Sequence, residues 1–277
     1  MPSTLSPTTP TFWRDAALPF IEARAIVDGR RVCYDRHAHE TFSIGAVTAG
    51  HSTYLNGKRQ ERIGAGTVVL MNPGDIHACN PDGDQQWSYR MLYVDVNWLS
   101  ALQQEAGLST DGHFSAFAAI SSTDRGLFAG LNHLYQVLTD STADDLLKHS
   151  RAIQYFSEVQ QILTPVATNT PQAEDRLSRA ADYISDNFTR ALKLDDICTA
   201  ADLSASYLIR AFNQRYGMTP HAYLLNQRIQ YCRTRLARGH AIADVALAAG
   251  FADQAHLQRA FKRMVAATPG QYRKRHN

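Results

Sequence analysis

Three histidines are candidate ligands in the first part of the chain: His37 and His39, which are separated by one residue, and His77. Alternate residues of a β-strand point to the same side, so an HxH pair on a strand would direct both imidazoles to one face. A third imidazole from a neighbouring strand could complete a three-nitrogen metal site. The same side chains could instead line a hydrogen-bonding pocket for a small molecule, or be satisfied within a folded core.

A second set of side chains with binding chemistry lies in an internal repeat of the C-terminal part. At an offset of 49 residues, four positions of one segment are identical to four of the next, namely Leu208, Arg210, Ala211 and Phe212 with Leu257, Arg259, Ala260 and Phe261. Upstream of these blocks the offset is 48, which indicates one residue inserted at a turn. A repeat of this period predicts a duplicated supersecondary unit.

Each repeat unit is predicted to be a helix, a turn and a second helix. The first unit covers helices over residues 195–201 and 205–216, and the second covers 242–249 and 253–264. Residues 220–238 lack a helix breaker, which predicts one long helix between the units. Such a helix spans about 28 Å. That length suits two recognition helices about one DNA turn, roughly 34 Å, apart.

Charge is divided unevenly along the chain, although the net charge is only +2. Residues 1–174 carry 12 Lys and Arg against 18 Asp and Glu, a net −6, whereas residues 175–277 carry 16 against 8, a net +8. A basic second half favours a polyanionic partner, and differing solvated surfaces are the alternative explanation. A Pro/Thr-rich stretch predicts a linker over residues 164–174 between domains 1–163 and 175–277.

The first domain is predicted to be a β-barrel followed by helices. Short β-rich stretches are punctuated by turns such as Asn56-Gly57, at residues 31–36, 41–47, 51–55, 58–63, 66–71 and 87–96. Two helices are predicted over residues 124–139 and 144–163. Four leucines of the first are spaced 4, 3 and 4 apart, which is typical of a packing seam, either between two protomers or against the barrel, namely Leu127, Leu131, Leu134 and Leu138.

The C-terminal domain resembles the DNA-binding domain of the AraC-type (AraC/XylS) transcriptional regulators. The resemblance covers residues 176–275 and rests on segments 203–212 (LSASYLIRAF), 217–220 (GMTP), 242–251 (IADVALAAGF), 261–263 (FKR) and 268–273 (TPGQYR). It implies an all-α tandem helix-turn-helix domain that binds double-stranded promoter DNA. It also implies dimerisation through the N-terminal domain, contact with RNA polymerase and activation of transcription.

The resemblance assigns base reading to one face of each second helix. The expected base-reading residues are Ser206, Ile209, Arg210, Gln254, Ala255, Gln258 and Arg259. Arginine pairs with guanine and glutamine with adenine in the major groove, so Arg210 and Arg259 are expected to dominate, with a surface ion pair as the alternative for Arg210. The expected phosphate contacts are Asn213, Thr219, Lys262, Arg263, Thr268, Arg273 and Lys274.

The N-terminal domain resembles the cupin jelly roll, and more narrowly the sensor half of AraC-type regulators, through His37-x-His39, Gly66-x6-Pro73-Gly74 and His77. Metal-binding cupins place a glutamate three to four residues after the HxH pair, whereas Glu40 follows His39 directly. We therefore expect no metal or other cofactor and favour a small-molecule effector pocket. The expected pocket residues are Arg36, His37, His39, His77, Cys79, Tyr89 and Met91.

Together these patterns predict an α+β protein of two domains, a cupin-like sensor and a tandem helix-turn-helix. No apolar run reaches the roughly 18–20 residues of a membrane helix, and four scattered cysteines favour a reducing compartment. We expect a cytoplasmic, nucleoid-associated, effector-controlled regulator that is not an enzyme. The alternatives are a regulator with a vestigial barrel, controlled by a protein partner or by abundance, and a metal-dependent cupin enzyme fused to a DNA-binding domain.

Overall fold

The computed structural model of the chain describes residues 9–83, 85–108, 113–163 and 175–273, without the side chains of Asp175 and Ser206. The expected linker and Lys274 lie outside the described residues. Within these ranges no helix has the length and apolar character needed to cross a bilayer.

Two antiparallel sheets form the N-terminal domain. The strands are β1 (Thr11–Arg14), β2 (Ile21–Ile26), β3 (Phe42–Ala49), β4 (His51–Asn56), β5 (Arg59–Gly64), β6 (Val68–Met71), β7 (His77–Pro81), β8 (Ser88–Val94) and β9 (Ser121–Ser122). One sheet has the order β1-β2-β8-β3-β6-β9 and the other β5-β4-β7. The predicted hairpin is confirmed, with Asn56 opposite Arg59 and Gly57 at a φ of 57° in the turn.

Residues 31–36, predicted as a strand, form a loop, so this prediction is wrong. The side-chain amide of Asn80 takes the place of a partner strand: its Oδ1 accepts from the Tyr34 amide at 2.7 Å, and its Nδ2 donates to the Tyr34 carbonyl at 3.2 Å. Backbone pairing resumes only as a single bridge between His37 and His77. The backbone is thus satisfied without a ladder of strand hydrogen bonds.

Within residues 85–108 and 113–163 the domain has three helices, of which α2 packs on β3 and β8: α1 (Val96–Glu105), α2 (Arg125–Thr139) and α3 (Asp145–Leu163). Asp124 caps α2 by accepting from the Leu127 amide at 2.9 Å. The four leucines of the α2 seam are at most 1% exposed and belong to one apolar cluster with Phe42 and Phe156. Of the two interpretations of the seam, packing within the domain is therefore the one that the structure shows.

Seven helices form the C-terminal domain: α4 (Asp175–Asn187), α5 (Leu194–Ala201), α6 (Ala205–Tyr216), α7 (Pro220–Ala237), α8 (Ile242–Ala248), α9 (Gln254–Val265) and α10 (Pro269–Arg273). Local signals fix their ends. Gly217 ends α6 at a φ of 66°, Thr219 caps α7 through the Ala222 amide, and Asp253 caps α9 by accepting from the His256 amide at 2.6 Å. The helix-turn-helix pairs are thus α5–α6 and α8–α9, with α7 between them.

Candidate effector pocket and nucleic-acid interface

The three histidines converge at the start of β7. His39 and His77 are each 4% exposed and His37 is half-buried, and one ring nitrogen of each lies within 4.8 Å of the others. The ring centroids of His37 and His39 are 4.4 and 4.7 Å from that of His77. The predicted HxH strand is absent, because only His37 forms a bridge and β3 begins at Phe42.

Backbone carbonyls orient all three imidazoles in the same way. Nδ1 of His37 lies 2.8 Å from the Asp35 carbonyl, Nδ1 of His39 lies 3.0 Å from that of Thr41, and Nδ1 of His77 lies 2.8 Å from that of Asp75. A neutral imidazole has one donor, so each Nδ1–H bond leaves Nε2 with a free lone pair.

Burial keeps the histidines uncharged. Desolvation, reinforced by the unfavourable electrostatic interaction of a charged imidazole with His77, holds the pKa values of His37 and His39 well below their ordinary value. Desolvation lowers the pKa of His77 to about 4. At neutral pH the cluster therefore presents three neutral nitrogen donors.

A small cavity lies beside this cluster inside the barrel. The expected pocket residues His37, His77, Cys79, Tyr89 and Met91 line it. Its free volume is about 40 Å³, room for a few water molecules, whereas pockets for metabolites measure roughly 300–1,000 Å³. Side chains must move before the cavity can hold an effector.

Met91 is the side chain best placed to move. A Cβ on Gly45 would lie 2.6 Å from Met91 Cε, so Met91 occupies the space that the glycine leaves open. Its unbranched side chain has three rotatable bonds and adapts readily.

Arg24 is the pocket residue that sequence reasoning missed. It is 3% exposed, and its Nη2 donates to the Tyr34 hydroxyl at 2.6 Å, which in turn contacts the Tyr89 hydroxyl. Its Nε is buried with no hydrogen-bond partner, and among the described residues no carboxylate pairs with it. Burial lowers the pKa of Arg24, but the surrounding phenols raise it more, so the guanidinium stays charged. The sequence does contain a signal for this residue. Side chains alternate between the two faces of a strand, and Arg24 is a charged residue on the face of β2 that points into the barrel.

Arg36 does not belong to the pocket, so its assignment there is corrected. The side chain is exposed, and its Nη1 reaches the Gly217 carbonyl of the C-terminal domain at 3.5 Å. The reason is the loop at residues 31–36, which turns Arg36 away from the barrel interior.

The first recognition helix, α6, buries one face and exposes the other. Leu208 and Phe212 are fully buried, whereas Ile209, Arg210 and Asn213 are exposed. Arg210 packs over the Tyr207 ring at 5.9 Å and forms no ion pair among the described residues. Ser206 lies on α6, but its side chain is outside the described set.

The second recognition helix, α9, repeats this arrangement. Leu257 and Phe261 are fully buried. The four expected base-reading side chains are all exposed, namely Gln254, Ala255, Gln258 and Arg259. Among the exposed arginines of the two helices, Arg210 and Arg259 occupy the same repeat position, since they are 49 residues apart.

The expected phosphate contacts are differently placed. Lys262 is exposed and Arg273 is half-buried. The Thr219 and Thr268 hydroxyls accept backbone N–H bonds from Ala222 and Gln271, so both serve as helix caps. Arg263 lies 3.3 Å from Asp35 of the N-terminal domain, with both side chains more than half exposed, and is thus engaged between the domains.

Polar contacts join α7 to the N-terminal domain. Asn226 Oδ1 accepts from the Ala38 amide at 3.1 Å, and Gln230 Nε2 donates to the Ala38 carbonyl at 2.8 Å. Nearby, Glu22 accepts from Arg14 at 2.5 Å and from the Tyr272 hydroxyl at 2.9 Å. Arg233 lies 3.6 Å from Glu22, an ion pair longer than a hydrogen bond. Arg14, Glu22, Gln230, Arg233 and Tyr272 border an interdomain cleft of about 460 Å³.

This architecture defines a class of protein: a β-rich domain with a buried polar cavity, docked on a basic tandem helix-turn-helix domain. Residues 22–156 match the family model described as AraC-like ligand binding domain, and residues 197–275 match that described as Helix-turn-helix domain. The chain belongs to the AraC family and is a DNA-binding transcriptional regulator with an N-terminal ligand-binding domain. The expected α+β fold class is confirmed.

Relatives support this assignment along most of the chain. The HTH-type transcriptional regulator YbfI of Bacillus subtilis (strain 168) is 26% identical over 231 residues, which cover 81% of each chain. The raffinose operon transcriptional regulatory protein RafR of Pediococcus pentosaceus is 23% identical over 265 residues, 91% of this chain and 94% of that one. The crystal structure of apo ToxT from Vibrio cholerae superimposes with a TM-score of 0.56 at 15% identity, covering 94% and 98%, and so shares the fold.

Proposed function

We propose that α6 and α9 each read bases in the major groove of double-stranded DNA, with Arg210 and Arg259 as the principal readers. The observation that carries this proposal is the exposed arginine repeated at the same position of two equivalent helices. A guanidinium without a carboxylate partner is available for two hydrogen bonds to guanine. Ser206, Ile209, Gln254, Ala255 and Gln258 complete the reading faces.

Phosphate contacts set the affinity in this proposal. Lys262 and Asn213 flank the reading faces, and Arg273 and Lys274 follow α9 in the chain. Thr219 and Thr268 contribute as caps that order the helix starts, where backbone amides favour anions. Arg263 becomes available for phosphate only when its contact with Asp35 opens.

The test is DNA selection from a random-sequence pool with the full chain, followed by affinity measurements. Arg259→Ala is expected to cost about 1–3 kcal/mol on the selected site and much less on random DNA. Arg62→Ala, which removes an exposed charge from the barrel, is the matched control and should bind normally. An equal loss on both DNAs for Arg259→Ala would contradict base reading.

The effector in this proposal is a small carboxylate bound in the barrel at Arg24. A buried guanidinium with a free Nε and no carboxylate partner among the described residues favours an anion. The expected contacts His77, Cys79, Tyr89 and Met91 surround it, and Met91 would be displaced on binding. The interdomain cleft is the competing location, which variants at Arg24 distinguish.

Self-association is proposed through α3 and not through the leucines of α2. Leu146 and Ile153, seven residues apart on α3, are 76% and 44% exposed. No described part of the chain buries these two apolar side chains. A homodimer formed there would present two tandem helix-turn-helix domains to DNA.

The remaining assignments follow from this role. We propose a cytoplasmic, nucleoid-associated activator that contacts RNA polymerase and performs no catalysis. The domain division at residues 1–163, 164–174 and 175–277 is part of the same proposal. Proteolysis across 164–174 that releases a stable DNA-binding fragment would test the division.

A further inference from the structure

We propose that His37, His39 and His77 form a binding site for one divalent transition-metal ion, and that the bound ion alters how the N-terminal domain holds α7. The site was not expected from the sequence, because Glu40 does not have the spacing of a metal-binding cupin. Glu40 is exposed in the structure, and three imidazoles suffice without it.

The orientation of the rings carries the proposal. Each Nδ1 is held by a backbone carbonyl at 2.8–3.0 Å, so three Nε2 lone pairs remain for a shared ion. Such second contacts fix the tautomer and raise the basicity of histidine ligands in metal sites. The Ser43 hydroxyl, 3.4 Å from His39 Nε2, is the weak contact that an ion would displace.

The donor set selects the class of ion. Neutral imidazoles suit Zn²⁺, Ni²⁺, Cu²⁺ and Fe²⁺, whereas Mg²⁺ and Ca²⁺ prefer oxygen ligands. Three protein ligands leave a fourth position open in a tetrahedral site. His37 and His77 line the barrel cavity together with Arg24, so the histidine cluster borders the space in which we place the carboxylate effector.

Metal binding would move the histidines. A Zn–N distance of about 2.0–2.1 Å in a tetrahedral site places ligand nitrogens roughly 3.4 Å apart. The nitrogens of the cluster are spaced up to 4.8 Å apart. Binding therefore contracts the cluster and displaces the segment from His37 to His39.

The segment from His37 to His39 is hydrogen-bonded to α7. Ala38, between the two ligands, bonds through both backbone groups to Asn226 and Gln230. Ile76, which precedes His77, packs against Met218, two residues before α7 begins. Contraction at the histidines is thus transmitted to the helix that connects the two helix-turn-helix units.

Two arginines oppose a cation at this site, the buried Arg24 and Arg233, whose side chain is 13% exposed. Arg233 and Arg24 both depress the pKa of His37, and Arg233 also stacks over Tyr93, the ring against His39. Glu22 partly compensates Arg233 at 3.6 Å. An anionic ligand in the fourth position would offset the remaining charge.

The first experiment measures binding of the ion alone. The full chain is stripped with a chelator and titrated with Zn²⁺, and Co²⁺ absorption reports the geometry. We expect one ion per chain, with affinity falling about 100-fold or more in His39→Gln and His77→Gln, in line with the sensitivity of ligand shells. His51→Gln, at an exposed histidine of β4, is the control, and thermal unfolding without metal checks that each variant folds. Unchanged affinity in the folded ligand variants, or no stoichiometric binding by the wild type, overturns the site.

The second experiment tests transmission and rests on the proposed DNA-binding function. We expect Zn²⁺ to change the affinity for a selected DNA site by about 5–150-fold. An Asn226→Ala, Gln230→Ala double variant should bind the ion but lose this response. Zn²⁺ binding without any change in DNA affinity overturns transmission. A chain that binds Zn²⁺ but no DNA under either condition contradicts the proposed function and leaves the metal site standing.

Discussion

Asn226 of the DNA-binding domain accepts a hydrogen bond from the backbone amide of Ala38 at 3.1 Å, across 188 positions of sequence. Both residues are buried, at 3% and 7% exposure. Ala38 stands between His37 and His39, so the same backbone segment belongs to the histidine cluster and to the interdomain contact. Any change in the barrel that moves this segment therefore alters its hydrogen bonds to α7.

Asn226→Ala is expected to loosen the interdomain contact. It leaves the buried Ala38 amide without its partner, at a cost of about 1–3 kcal/mol. Hydrogen exchange at the Ala38 amide should accelerate, and the free energy of unfolding should fall. Thr234→Ala, an exposed substitution on the same helix, is the control. Unaltered exchange at Ala38 would show that the bond does not hold this segment.

Glu22 is expected to make the interdomain contact sensitive to acid. Burial raises its pKa, but Arg14 and Arg233 lower it more, so the net pKa lies below its ordinary value of 4.5. The stabilisation is therefore present above about pH 4.5 and is lost as pH falls through the depressed pKa.

Glu22→Gln should produce the same loss at neutral pH, by roughly 3–5 kcal/mol, because two arginines whose side chains are only 13% exposed lose their shared carboxylate. Urea unfolding at a series of pH values measures both effects. Glu105→Gln, at an exposed carboxyl of α1, should change neither. A pH profile that is identical in wild type and Glu22→Gln would contradict the assignment.

Arg24→Met should abolish the response to carboxylate effectors. At a concentration 100 times its Kd, a ligand stabilises the wild type by about 2.7 kcal/mol, seen as a rise in Tm. A panel of small carboxylates identifies a ligand that raises the Tm of the wild type. The same ligand should not raise the Tm of Arg24→Met. Arg36→Met, outside the pocket, should retain the shift. A retained shift in Arg24→Met would place the ligand elsewhere, with the interdomain cleft as the first alternative.

Lys262→Ala is expected to weaken DNA binding without changing sequence preference. Loss of one phosphate contact reduces the slope of log K against log salt by about 1. Selected and random DNA should lose affinity equally, in contrast to Arg259→Ala. Lys58→Ala, in the exposed turn between β4 and β5, controls for net charge. An unchanged slope would remove Lys262 from the phosphate contacts.

The helices α2 and α3 should respond differently to substitution. Leu131→Ala removes a fully buried side chain and should cost about 2–5 kcal/mol of unfolding free energy. Ile153→Ser changes an exposed side chain and should leave stability nearly unchanged while weakening self-association. Sedimentation velocity over a range of concentrations separates the two effects. Equal association of wild type and Ile153→Ser would exclude this face of α3.

The helices of the C-terminal domain could be predicted because their signals are local. The repeat shows which positions are equivalent, and caps such as Asp253 and Gly217 mark helix ends within one residue. A period of 3.6 residues then decides that Leu257 faces inward and Arg259 outward. In the strands, the alternation of side chains with a period of two placed Cys79, Tyr89 and Met91 on the barrel interior.

Only the tertiary structure decided the contacts between distant segments. Residues 31–36 have strand-like alternation, but Asn80 satisfies the backbone there and a loop results. Arg24 enters the cavity beside the histidines because β2 pairs with β8, and the α2 leucines are buried because α3 covers them. Spacing along the chain records which side of its own element a residue occupies. The element that packs against that side is determined by sheet register and by the docking of the two domains. Both depend on the free energy of the whole fold.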